Sequence, residues 1–345
     1  MKKIKVTELE PGYKLGKDVV SPDGLVLYPK DNIVTEKIIE YLDKWHVESV
    51  YVKDEEAEVV QTRRDTEKLV KEKYNKSVEK VSKMIEGLES GETIYEQEVK
   101  ETAKELMDFT EDYYYFFKLL TQLEDDDNRL FQHSINVGIY SSLLARWLDF
   151  DDSVVQEIGL TGLLHDMGRT MTKSNDQATS QSKENEELDK EHPRKGFEII
   201  KSQTKFNDNV AKGVLQHHER MNGEGYPDGV KGSSIHFFAR IIAVADVFDQ
   251  MTSVKFEREK KGVFKAIEHL NKESFNRLDP LVSRTFMNRL MDFFIGSKVL
   301  LNDESIAEVI MVNRDEPGRP LIKVRDEFVD LKKNREITIE KVLDV

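Results

Sequence analysis

Apolar positions along this chain follow two periods. Near both ends they fall in short runs divided by turn residues, and through the middle they recur every three or four positions. The first pattern predicts strands and the second helices. In residues 1–55, β-like runs at 4–6, 25–28 and 47–52 flank a turn, Ser21-Pro22-Asp23-Gly24. Thr35 before Glu36-Lys37-Ile38-Ile39 predicts an N-cap and an amphipathic helix ending near Trp45. The module reads as a sensory or interaction surface, or as a structural appendage.

Residues 56–125 are rich in Lys and Glu and contain no proline. Tyr74, Val78, Val81, Ile85 and Leu88 form a stripe at helical spacing, which Gly87 and Gly91 are expected to interrupt. Such a stripe either pairs two copies of the chain as a short coiled coil over residues 60–90 or packs a linker helix on its own chain. The aromatic run Tyr113-Tyr114-Tyr115-Phe116-Phe117 predicts buried helix packing. From 126 to 295 the pattern is helical, with apolar stripes at 137–148, 154–164, 210–215, 237–248 and 286–294. The polar stretch 170–190 breaks it, as a lid over a site or as an insertion without a role. Residues 296–345 return to short strands at Lys298–Leu301, 306–312, Leu321–Val324 and 337–339, with a hairpin turn at 313–318. The fold class is therefore mainly α. A small α/β N-terminal module (1–55), a helical linker (56–125), a helical bundle (126–295) and a C-terminal β subdomain (296–345) follow one another.

Charge narrows the partners. With 52 basic and 66 acidic residues the net charge is −14, so the chain lacks the basic face that polymeric DNA or RNA requires. A small anionic nucleotide remains open if a local basic pocket exists. There is no cysteine, which removes disulfide and thiolate chemistry and fits a reducing compartment. No signal-type segment follows Met1, and no run of about 18 apolar residues occurs. A cytoplasmic protein without membrane insertion is expected.

Chemistry concentrates in the helical middle. Five of the eight histidines lie between positions 133 and 218. His165-Asp166 closes an apolar helix, His192 precedes Pro193 at a helix start, and His217-His218 ends another helix before a glycine-rich loop. Asp246 interrupts the apolar stretch Ile241-Ile242-Ala243-Val244-Ala245, where a carboxylate is costly unless paired. His133 lies on a further helix. Ligands from separate helix ends can converge inside a bundle. An all-imidazole and carboxylate set suits borderline or hard cations such as iron, manganese or zinc. Two such ions a few Å apart make a hydrolytic site for phosphate esters.

In that order these residues resemble the HD phosphohydrolase superfamily. His217-His218-Glu219-Arg220-Met221-Asn222-Gly223-Glu224-Gly225-Tyr226-Pro227 resembles the HD-GYP signature. The resemblance covers roughly 126–295 and implies a helical HD-domain bundle with cyclic di-GMP phosphodiesterase activity. It implies two divalent metal ions, one held by His133, His165, Asp166 and Asp246, the other by Asp166, His192, His217 and His218. Asp166 would bridge them, and a hydroxide between the ions would attack the phosphodiester. Gly225, Tyr226 and Pro227 would shape the guanine nucleotide pocket, and Lys255 and Arg258, after Asp249-Gln250-Met251-Thr252-Ser253, would clamp phosphate.

The chain departs from the family pattern in three places. Arg169 replaces the usual lysine that contacts the scissile phosphate, and arginine's planar fork is not a lysine point charge. The polar 170–190 segment replaces an apolar, proline-containing one. Arg129 stands where some members carry a third-metal glutamate. The resulting expectation is an enzyme that hydrolyses cyclic di-GMP to pGpG and onward to GMP, with other signalling proteins as partners. A receptor that binds without turnover and a phosphohydrolase of another nucleotide are the alternatives.

Overall fold

The computed structural model of the chain describes residues 2–9, 13–21, 26–45, 47–53, 59–89, 92, 96–111, 116–117, 129–171, 190–252 and 262–344. The fold is mainly helical, with small sheets towards each end. At the N-terminal side, β1 (Lys2–Lys5) pairs antiparallel with β4 (Ser49–Val52), and β2 (Val19–Val20) with β3 (Val26–Tyr28). Between them α1 (Glu36–Lys44) starts where the Thr35 side chain accepts a hydrogen bond from the Ile38 N–H at 3.2 Å. The inward residues Ile4, Leu15, Leu27, Val34, Leu42 and Val52 form a small core of their own.

α2 (Val59–Glu89) runs through Gly87 rather than breaking there. One glycine costs a helix only about 1 kcal/mol, which 31 residues of helix with a buried face readily outweigh. Val70, Tyr74, Val78, Val81 and Ile85 are buried against the helices that follow, α3 (Glu96–Glu111) among them. The chain's own bundle thus covers Val70, Tyr74, Val78, Val81 and Ile85 of that stripe. Tyr74 meets Phe109 edge-on at 6.4 Å and Phe116 at 6.3 Å. Phe116 and Phe117 are buried; Tyr113, Tyr114 and Tyr115 lie outside the described residues.

The bundle proper consists of α4 (Arg129–Trp147), α5 (Asp152–Leu164), α6 (His192–Gln203), α7 (Asp208–Gln216), α8 (Phe237–Thr252), α9 (Val263–Glu273) and α10 (Pro280–Asp292). Two starts are capped by side chains. Asn207 accepts from the N–H groups of Asn209 and Val210, and Asp279 accepts from those of Leu281 and Val282, just ahead of Pro280. α8 is apolar nearly all round, as a central helix must be, and packs on α4, α5 and α7.

The C-terminal sheet holds five described strands in the order β8-β7-β6-β5-β9: β5 (Lys298–Leu301), β6 (Ile306–Met311), β7 (Leu321–Val324), β8 (Glu327–Asp330) and β9 (Ile339–Asp344). β8 had no sequence signal because it is a half-exposed edge strand, EFVD, whose pattern needs no apolar face. The last strand lies beyond the expected 337–339, since β5 pairs with 339–344. The N-terminal module is seated on this sheet. Ile310 belongs to its core, and the Tyr41 hydroxyl donates to the Ile310 carbonyl at 2.6 Å. Tyr41→Phe is expected to cost about 1 kcal/mol, read as a lower denaturant midpoint.

Among the described residues, no helix is long and apolar enough to cross a membrane.

Candidate metal centre

Helix ends build the site. His165 is the C-cap of α5 and His217 that of α7, so each histidine emerges where its helix stops. Their Nδ1 atoms lie 2.7 Å from the carbonyls of Gly162 and Val214. A carbonyl can only accept, so Nδ1 carries the proton in both rings and Nε2 presents its lone pair to the site. His192 is the first residue of α6, with Glu191 rather than His192 in the cap position. His133 comes from the first turns of α4 and Asp246 from the middle of α8.

These side chains converge. Ligand atoms of Asp166, His192, His217 and His218 all lie within 4.8 Å of one another, and so do those of His133, His165 and Asp166. Asp246 Oδ1 joins the second group, 3.3 Å from His133 Nε2 and 3.8 Å from His165 Nε2. Asp166 is common to both groups, with Oδ1 3.1 Å from His192 Nε2 and Oδ2 3.7 Å from His165 Nε2. All seven residues are at most 7% exposed.

The electrostatics favour a cation here. Burial lowers His165 to about 3 and holds His218 well below the ordinary imidazole range, so both stay neutral and ligating. Burial also lowers His217. It pushes His133 down too, but hydrogen bonds to Asp246 and Asp249 outweigh it and carry that group up to about 10. Burial would raise Asp166 and Asp246, yet neighbouring imidazoles, with Arg169 beside Asp166, hold both carboxylates well below the usual range. His133 is then protonated, so a metal at this ligand would have to displace its Nε2 proton, and the buried carboxylates Asp166, Asp246 and Asp249 outnumber the positive charges of His133 and Arg169.

The fit to a metal rests on ligand atoms that nothing else satisfies. His165 Nε2, His218 Nε2 and Asp246 Oδ2 are buried and make no hydrogen bond. Leaving such an atom without a partner costs about 1–3 kcal/mol. His192 Nε2 and His217 Nε2 face each other at 3.3 Å. Since His217 Nε2 bears a lone pair, a proton on His192 or a cation has to lie between them. Nitrogen and carboxylate oxygen are the donors that borderline and hard divalent ions take.

The rest of the predicted site is placed unevenly. The Arg169 Nε lies 2.8 Å from Asp166 Oδ2, so its guanidinium is at the centre's edge. Gly225, Tyr226 and Pro227 fold back over the histidine pair through a cis Tyr226–Pro227 bond. The Tyr226 N–H donates to the His218 carbonyl at 3.3 Å, and its ring stacks on the His218 imidazole at 4.6 Å. A Cβ on Gly225 would stand 2.4 Å from Glu219 Cα, so only glycine lets the loop lie this close. Lys255, Arg258 and nearly all of the 170–190 segment lie outside the described residues, and the Arg129 side chain does too.

Sequence reasoning missed the supports of this centre. Asp249 accepts from His133 Nδ1 at 2.7 Å and from Asn136 Nδ2 at 2.9 Å. Its position three residues after Asp246 on one apolar helix was a usable signal, because that spacing puts both carboxylates on one face. Glu219, buried, accepts from the Asp228 N–H at 2.8 Å and ties down the loop after Pro227. Buried Arg220 donates to the carbonyls of His217 and Glu219.

Residues 119–282 match the family model described as "HD domain". A cyclic di-GMP phosphodiesterase of Pseudomonas aeruginosa is 31% identical over 211 residues, 60% of this chain and 49% of that protein. Residues 119–282 thus carry an HD domain. The cyclic di-GMP phosphodiesterase response regulator RpfG of Xanthomonas campestris is 35% identical over 143 residues, 41% of this chain and 38% of that protein. The chain thus spans half or less of the length of these relatives. The structure of Bd1817, a HDG"Y"P protein from Bdellovibrio bacteriovorus, superposes with a TM-score of 0.52 at 19% identity, over 84% of this chain and 99% of the other. That likeness concerns the fold. The HD-domain match begins ahead of α4 and ends in α10, leaving α1, α2, α3 and the C-terminal sheet outside it.

Proposed function

We propose that this chain is an HD-GYP protein, a metal-dependent phosphodiesterase hydrolysing cyclic di-GMP and acting in the cytoplasm as a signalling enzyme. One observation carries the reading: two buried clusters of imidazole and carboxylate ligand atoms share Asp166. His133, His165, Asp166 and Asp246 would hold one ion, and Asp166, His192, His217 and His218 the other. Bound divalent ions, iron first and manganese or zinc as alternatives, supply Lewis-acid stabilisation of phosphoryl charge and a water acidic enough to attack at neutral pH. The chain's own residues do the rest. The Nδ1 hydrogen bonds of His165 and His217 aim their Nε2 atoms inward. Arg169 brings a fixed positive charge beside Asp166, where a phosphodiester would enter. Gly225, Tyr226 and Pro227 form a wall for a guanine, and Lys255 and Arg258 are the proposed phosphate clamp. The buried donor set shields the reacting atoms from bulk water.

The test is direct. The chain is purified without oxygen, loaded with ferrous or manganous ion, and given cyclic di-GMP, with products separated by chromatography. The expected result is pGpG, then GMP. Ions at a hundred times their Kd are expected to stabilise the fold by about 2.7 kcal/mol, read as a rise in Tm that a chelator reverses. Binding without product under every metal would leave a receptor. Turnover of a mixed guanine–adenine cyclic dinucleotide alone would change the substrate.

A further inference from the structure

We infer that Tyr74, on a helix outside the HD-domain match, is a positioning residue for the metal centre, acting on His133 through Asn136 and Asp249; this rests on the metal reading above. The Tyr74 hydroxyl donates to Asn136 Oδ1 at 2.9 Å, Asn136 Nδ2 donates to Asp249 Oδ1 at 2.9 Å, and Asp249 Oδ2 lies 2.7 Å from His133 Nδ1. Nothing in this chain of groups is more than 5% exposed.

The direction of every bond is set by chemistry. An ionised carboxylate only accepts, so Asn136 must turn its NH2, and His133 its Nδ1–H, towards Asp249. The Asn136 carbonyl then points the other way and needs a donor. Tyr74 is that donor: burial pushes its phenol well above the ordinary value, as does the Asp249 charge, so it keeps its proton. His133 consequently turns Nε2 towards Asp246 and Asp166, at 3.3 and 3.9 Å. A carboxylate behind a ligating histidine fixes its tautomer and ring angle and raises its basicity. Here that carboxylate is itself held by an amide, and the amide by a phenol on α2. The helix that follows the N-terminal module is therefore tied by hydrogen bonds to a proposed metal ligand.

Packing alone would be the plainer role for Tyr74, since its ring lies among Phe109 and Phe116. Two variants of the full chain separate the roles. Tyr74→Phe keeps the ring and deletes the hydroxyl, whereas Phe116→Leu disturbs the ring's packing and keeps the hydroxyl. Manganous ion is titrated calorimetrically into each, and Tm is recorded without metal. Asp249→Asn is expected to weaken the ion about ten- to a hundredfold. Tyr74→Phe, one bond further out, is expected to weaken it about three- to tenfold. Phe116→Leu should lower Tm and leave the Kd where it was. The inference is overturned if Tyr74→Phe binds as tightly as the unaltered chain, or if Phe116→Leu weakens binding equally. A failure of the unaltered chain to bind the ion would instead overturn the metal reading, and this inference with it.

Discussion

Asp166→Asn is expected to strip the centre of both ions and to lower cyclic di-GMP hydrolysis by about 10³-fold or more, the equivalent of several kcal/mol of metal-derived stabilisation. Among the described residues, Asp166 is the one shared by both ligand groups, and its two oxygens face different histidines. Asparagine keeps the shape but offers a single neutral oxygen, and its amide would aim two hydrogens at lone pairs. The Arg169 guanidinium, 2.8 Å away, would also lose its counter-charge. Elemental analysis of reconstituted protein checks the first half of the expectation and product chromatography the second. Full occupancy together with full turnover in the variant would end the bridged-centre proposal.

Gly168→Ala comes next in size and acts through geometry alone. A Cβ at Gly168 would lie 2.0 Å from the His192 carbonyl oxygen and 2.6 Å from the Gly196 nitrogen. Both are backbone atoms of α6, so no side chain can swing aside. The start of α6 has to move off the turn that carries His165 and Asp166, and His192 moves with it, away from Asp166. Overpacking of this kind costs about 1–3 kcal/mol, and the upper end is expected where backbone must shift. The variant should show a lower Tm and, beyond that, weaker binding of an ion at the proposed site of His192, His217 and His218. A variant that matches the unaltered chain in both Tm and ion affinity would mean that the contact between this turn and α6 is not tight.

How far the site could be read in one dimension depended on the kind of residue. His165, His217 and Asp246 were legible because each breaks its context: an imidazole at the end of an apolar helix, a carboxylate inside one. Asp249 shares that context, but one dimension does not show that it sits behind His133. Asn136 and Tyr74 gave no signal. A buried amide on an apolar helix and a tyrosine in a helical stripe read as ordinary packing until their hydroxyl and amide are found 2.9 Å apart. β8 was illegible for the opposite reason, since an exposed edge strand needs no apolar pattern.

Local order came from the chain itself. The periods of its apolar residues and the caps at Thr35, Asn207 and Asp279 set where helices run and start, because each depends on neighbours within about one turn. The identities of the ligands were likewise written in the residues. Which ligand atoms stand together, which tautomer His165 and His217 adopt, and that the α2 stripe packs on the chain's own helices were decided only by tertiary structure. Those outcomes depend on groups far apart in sequence, such as Tyr74, Asn136 and Asp249, which meet only once the helices have packed.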